Sequence, residues 1–213
     1  MASTILPLMS DRSFRRGVAS PTQLAAAAAE AGFGAAVLAD RGNLYGYPAF
    51  ARECAARGVA AIPGVRLEAG GVRLMALARE GGWWGLCRLV TAFRIEGLSH
   101  SNCLEGCEGV VLVAGSPPEA AVLRRMRFTG PLLVAVGPSR PERAALEAGF
   151  EPVAAWPAMF TTSEHHRMHL LARAADLGVP VGALPPGEVW GPKSAMASSR
   201  DFEAAFAGCR RGL

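Results

Sequence analysis

The sequence predicts a single-domain α/β barrel, and three observations carry that prediction. Seven short apolar runs alternate, for the most part, with stretches of helical patterning. The 213 residues suit one barrel, and no Pro/Ser-rich or charged linker divides them. The glycine fingerprint that would open a doubly wound dinucleotide fold is absent after the first strand. Because crossovers between parallel strands are right-handed, the alternation implies a parallel sheet with its helices outside.

The elements follow in order. Ser3 to Met9 (STILPLM) reads as a short strand despite Pro7, and Ser10 to Ala19 as a polar loop rich in Ser and Arg. Ser20 is placed as an N-cap, Pro21 as the first helical residue and Gln23 as the return arm of a capping box, with Gly32 as the stop. The run Ala35 to Ala39 ends in Asp40-Arg41-Gly42-Asn43 and reads as a buried strand with a polar loop at its carboxyl end. Carboxyl ends of such strands are where α/β proteins place their sites. A helix over Pro48 to Arg57 follows, then strands Val59 to Pro63 and Val72 to Ala78, and a helix over Gly82 to Phe93 with Trp83, Leu86, Leu89 and Val90 as its apolar face. After a loop from Gly97 to Glu108, strands Val110 to Ala114, Leu132 to Val136 and Pro152 to Trp156 alternate with helices Pro118 to Met126, Pro141 to Ala148 and Ser163 to Leu177. Pro180 to Met196 reads as loop, and a last helix spans Asp201 to Ala207. The expected layout is one domain over 1–213, with the barrel core at 3–179 and a loop and helix at 180–213.

Composition narrows the function classes. A chain that is 51% hydrophobic and 19% charged is globular, and its formal net charge of +4 does not demand nucleic acid. The first sixteen residues lack the pattern of a secretory signal, and no apolar run is long enough to span a bilayer. A cytoplasmic protein without a membrane partner is expected, and its five cysteines then read as reduced thiols.

The passages LADRGNLYGYPAFARECAARGVAAIPGVRL and GVRLMALAREGGWWGLCRLVTAFRIEGL resemble the PHP (polymerase and histidinol phosphatase) domain that begins the bacterial DNA polymerase III alpha subunit and its error-prone relatives. The resemblance runs from about residue 3 to 207 and implies a distorted (β/α)7 barrel with metal-dependent phosphoester hydrolysis as the family chemistry. It also implies where ligands belong. The first strand's His-x-His pair aligns with Pro7 and Met9, and the second strand's Asp-His with Asp40-Arg41. The glutamate of I-x-G-x-E aligns with Arg66, and the late Asp-x-His with Pro157 and Met159, where no shift of one or two residues restores it.

A divalent metal cluster needs several imidazoles and carboxylates converging on one point. Proline offers no donor, methionine is a soft thioether, and arginine keeps its positive charge. These replacements imply a PHP-like domain with no metal cofactor and no catalysis of its own. Arg41, Arg66 and Arg73 would then turn the former metal pocket into a cationic pocket for a phosphate or an acidic side chain, with Asp40 pairing one of them. The simpler alternative is that Asp40 and the arginines neutralise one another.

Three other groups carry candidate chemistry. His165 and His169 stand at i and i+4, a spacing that suits two metal ligands, but no carboxylate or cysteine is placed to complete the site, and exposed polar positions are the expected account of them and of His166. His100, Cys103 and Cys107 lack an evident fourth zinc ligand. Arg124, Arg125 and Arg127, with Arg210 and Arg211, are short basic runs of the kind that face solvent. The residues present include neither a nucleophile elbow nor a phosphate-binding P-loop. The expected function is an inactive structural or interaction module in DNA replication or repair synthesis. Its expected partner is an alpha-type or error-prone polymerase chain, with DNA reached through that partner. The enzyme alternative is a zinc- or manganese-dependent phosphoesterase or 3′ to 5′ exonuclease using rearranged ligands such as Asp40, His165 and His169.

Overall fold

The computed structural model, which describes residues 4–69, 71–96, 104–126, 128–137, 142–156 and 158–206, opens with two strand fragments, β1 (Thr4–Ile5) and β2 (Pro7–Leu8). The expected first strand is thus interrupted, and each fragment serves a different neighbour. Helix α1 (Pro21–Glu30) comes next. Ser20 Oγ accepts from Gln23 N at 3.2 Å while Gln23 Oε1 accepts from Ser20 N at 2.8 Å, which completes the expected capping box.

Strand β3 (Ala35–Arg41) and helix α2 (Tyr47–Ala56) match their expected places. Strand β4 (Ala60–Ala69) continues well past Pro63, where the sequence reading ended it. Strand β5 (Val72–Ala78) then returns beside it, and helix α3 (Trp83–Glu96) follows. The remaining units are β6 (Val110–Ala114), α4 (Pro117–Arg125), β7 (Leu132–Val136), α5 (Glu142–Glu147), β8 (Glu151–Ala155) and α6 (Ser163–Leu177). Short 3-10 turns at Val181–Ala183, Pro186–Glu188 and Pro192–Ser194 punctuate the loop expected over Pro180 to Met196, and α7 (Ser199–Ala205) closes the described chain from an N-cap at Ser198.

The sheet order is β1-β8-β7-β6-β5-β4-β3-β2, and its two ends are the two halves of the interrupted first strand. Since β1 pairs with β8 and β2 with β3, the ring closes through Leu6 into a barrel. Five of the pairings are parallel, but β5 runs antiparallel to both β4 and β6. That corrects the all-parallel expectation, and the reason is chain length. Only residues 70 and 71 join β4 to β5, enough for a hairpin, where a parallel crossover needs a dozen residues or more. Gly71, at φ 77°, supplies the left-handed turn residue.

Side chains alternate between the two faces of each strand. Val37, Ala39, Met75, Leu77, Val113 and Val153 fill the barrel interior. Leu38, Phe50, Leu24 and Phe202 pack in one cluster between sheet and helices, and Leu67, Leu86, Leu112 and Leu123 in another. Phe50 is fully buried in that layer under β3. Phe50→Ala is therefore expected to lower the unfolding free energy by about 3–5 kcal/mol in chemical denaturation, through lost transfer energy and the cavity left behind.

Candidate functional site

A cavity of about 400 Å³ opens where β3 and its parallel neighbours end and antiparallel β5 begins. Strand register fixes one wall. Arg41 of β3 stands opposite Arg66 of β4, and Arg66 opposite Met75 of β5, so Arg41, Arg66, Glu68 and Arg73 meet on one side of the mouth. The facing wall comes from the ends of β6, β7 and β8 and is made largely of small residues, Ala114, Gly115, Ala135, Gly137 and Ala155, with Val113 and Val136 beside them. Arg16 from the loop after β2 and Trp190 from the late segment complete the rim.

Asp40 is not among the lining residues. On β3, Val37 and Ala39 face the interior, so Asp40, like Leu38, points to the opposite side. It is 1% exposed and anchors the loop after β2, accepting from Ser10 N at 2.7 Å, Ser10 Oγ at 2.8 Å and Ser13 Oγ at 2.8 Å. Burial raises its pKa, and the bonds from Ser13 and Ser10 oppose that rise. Gly46 starts the next helix so close by that a Cβ there would lie 2.8 Å from Asp40 Oδ2. Asn43 extends the anchor, donating from Nδ2 to the carbonyls of Arg12 and Arg41.

Asp40 forms no ion pair with an arginine among the described residues, because its carboxylate faces the helical layer and accepts from Ser10 and Ser13, although its charge still acts on Arg66 and opposes the lowering of that pKa. Arg41 instead pairs with Glu68 at 3.3 Å, Arg73 with Glu119 at 3.2 Å, and Arg16 with Glu188 at 3.1 Å. Arg66 differs from these three. Its Nε donates to the Ala39 carbonyl at 3.2 Å and one terminal nitrogen to the Pro7 carbonyl at 3.3 Å, and it forms no ion pair among the described residues. Burial lowers its pKa to about 10, so it remains a cation at neutral pH.

The positions aligned with family ligands hold other chemistry. Met9 and Met159 are 3% exposed and pack with Phe160, Val18 and Trp190 in an apolar cluster at the barrel mouth. Pro157 lies outside the described residues. Among the described residues no three His, Cys, Asp or Glu side chains converge as a metal site would require. The donor set at the mouth, among the described residues, therefore does not fit a divalent cluster.

The histidines also part company with expectation. His169 is fully buried rather than exposed, with Nδ1 at 2.7 Å from the Arg16 carbonyl and Nε2 accepting from Trp190 N at 3.2 Å. Those two bonds require a neutral ring protonated on Nδ1. His165 Nδ1 meets Thr161 Oγ1 at 2.8 Å. Asp40, His165 and His169 are thus each engaged separately and make no common site. One turn along α6, Arg173 is 1% exposed and pairs with Asp176 and with Glu188, the latter at 2.5 Å. Of the zinc candidates, Cys107 is buried, and His100 and Cys103 lie outside the described residues. Arg124 and Arg125 are exposed as expected, whereas Arg127, Arg210 and Arg211 lie outside them.

Sequence reading did not single out Arg16, Glu68, Glu119, Arg173, Glu188 or Trp190. Only the buried i, i+4 pair His169 and Arg173 on α6 left a pattern in the sequence that could have marked them. The others converge from distant segments.

The PHP domain family model matches residues 7–115, just over half of the 213-residue chain. The chain belongs to the PHP domain family. No curated protein matches it. Among solved structures, this PHP domain is similar to a candidate metal-dependent phosphoesterase from Bifidobacterium adolescentis, at 12% identity and a TM-score of 0.48, covering 81% of this chain and 97% of that one. It is also similar to an amidohydrolase from Chromobacterium violaceum with bound sulfate and no metal, at 13% identity and a TM-score of 0.47, covering 95% and 97%. No described helix is long and apolar enough to cross a membrane.

Two tests address the mouth. Asp40→Ala leaves the Ser10 amide and two hydroxyls without their acceptor and should cost about 1–3 kcal/mol in chemical denaturation. Asp40→Asn keeps one oxygen acceptor and should cost less. Burial is the largest effect on His169 and lowers its pKa, so the unfolded chain binds the extra proton first. Stability should therefore be complete above about pH 6.5 and fall as pH drops toward the folded-state value. His169→Gln should flatten that fall in thermal unfolding followed from about pH 7.5 to 5.5.

Proposed function

We propose that this PHP barrel is a metal-free structural and interaction module that works with a DNA polymerase III alpha-type or error-prone polymerase in replication or repair synthesis, and that it hydrolyses nothing itself. The observation that carries the reading is the mouth. Positions that would hold metal ligands present Met9 and Met159 in an apolar cluster and Arg41 and Arg66 as cations. A thioether cluster cannot replace carboxylates and imidazoles around hard or borderline ions, and fixed guanidinium groups repel them.

The polymerase partner rests on the cadence of residues 38–98, which resembles the polymerase-attached branch of the family. Membership of the PHP family alone also accommodates metal-dependent phosphoester hydrolysis. Against it stands the geometry of the residues such an enzyme would have to enlist. Asp40 faces the helical layer, and both ring nitrogens of His169 are already bonded.

Metal analysis of untagged protein should give less than about 0.1 mole of zinc or manganese per chain, the near-zero occupancy expected without a multi-ligand site. Hydrolysis of a phosphodiester should not rise with added manganese. Affinity purification under mild salt should recover a polymerase chain. Stoichiometric metal together with a manganese-stimulated activity abolished by Asp40→Ala would establish the enzyme alternative instead. Recovery without a polymerase would remove the partner.

A further inference from the structure

The mouth cavity is built asymmetrically. Four guanidinium groups, from Arg16, Arg41, Arg66 and Arg73, face it with a single lining carboxylate, Glu68. Three of the four have carboxylate partners, and those pairs are partly exposed at the rim. Arg66 has carbonyl hydrogen-bond partners only and no ion pair among the described residues, so the charge of Asp40, which acts on it from the other face of the sheet, leaves its guanidinium open to the cavity. Two of its five N–H groups are accounted for by those bonds, so donors remain for an incoming acceptor. Repulsion acts here too. Burial is the first cause lowering the Arg16 pKa, and the nearby charges of Arg41 and Arg173 add to it.

The opposite wall has a different consequence. Ala114, Gly115, Ala135, Gly137 and Ala155 leave the room that larger side chains would fill, and Met75 and Val113 line the adjoining apolar surface. A volume of about 400 Å³ lies at the lower end of the range for small-molecule sites and far exceeds what an inorganic ion fills. Charge is concentrated on the β3–β5 side and apolar space on the β6–β8 side. A ligand matching both walls has a compact anionic head and an apolar body.

We propose that the barrel mouth binds a small organic anion, a carboxylate or phosphate monoester, with its charged head at Arg66 and its apolar body against the small-residue wall of β6–β8. This rests on the metal-free reading of the same mouth. A guanidinium suits either head, since its parallel N–H groups match two oxygens of a carboxylate or a phosphate. Trp190 lines the cavity and supplies a reporter, being one of four tryptophans in the chain.

The test is calorimetric titration of the full chain with benzoate, phenyl phosphate and inorganic phosphate, repeated by tryptophan fluorescence on wild type and Trp190→Phe. Saturable binding of benzoate or phenyl phosphate is expected, with the tighter of the two identifying the head group. Inorganic phosphate should bind at least about tenfold more weakly than phenyl phosphate, for want of an apolar body. Arg66→Gln should weaken every probe by about tenfold or more. Ala135→Leu should weaken the aromatic probes alone, because it fills space without removing charge. If Arg66→Gln fails to fold, Arg41→Gln at the half-exposed neighbour makes the same charge test. No saturable binding by any probe to metal-free protein, or binding indifferent to both arginine variants, overturns the proposal and leaves the metal-free reading standing. Stoichiometric metal in the protein would instead overturn that underlying reading.

Discussion

The buried carboxylate of Asp40 is the constraint on which the mouth of this barrel depends. Its three bonds to Ser10 and Ser13 hold the loop after β2 against the end of β3. Ser13 Oγ in turn accepts from Arg41 N, so loop and strand end are locked from both sides. That loop carries Arg16, whose carbonyl meets His169 on α6, and His169 accepts from Trp190 N. One carboxylate thereby fixes a course that runs from a strand end through a loop and a helix to the far rim. Burying it without an arginine is tolerable because every oxygen is hydrogen-bonded.

A second network braces the same rim from outside. Arg173, almost wholly buried, bonds the Glu188 side chain and carbonyl, and Glu188 also meets Arg16. A buried guanidinium contributes here only because carboxylates and a carbonyl satisfy it, and removing one partner would strand a charge. The loop bearing Arg16 and the segment bearing Trp190 are thus held by ionic contacts as well as by the histidine. The mouth therefore has a defined shape, with charge on one side and space on the other.

Much of the fold was legible in the sequence because its signals are local. The Ser20 capping box, the apolar runs of β3, β5, β6 and β7, and the full extent of α6 each depend on residues within a few positions of one another. The reversal of β5 was less legible, since it hangs on a two-residue connection and on β4 continuing through Pro63. At the site, Arg41, Arg66 and Arg73 line one cavity, and their strand-end positions follow from the strand pattern. The role of Asp40 does not. Alternation puts adjacent residues on opposite faces, and a neighbouring pair such as Asp40-Arg41 cannot both face the cavity.

By itself, the sequence determined the barrel class, the order of its strands and helices, and the chemical identity of the residues at each strand end. These follow from hydrophobic periodicity, caps and turn residues, all of them short-range. Only the tertiary structure decided which charges meet. Glu68, Glu119 and Glu188 reach the arginines from other strands, helices and turns, while Ser10 and Ser13 take the Asp40 carboxylate that strand-end position alone assigns to the mouth. Pairing between charges is set by distance in space, and no local pattern in the chain encodes that distance.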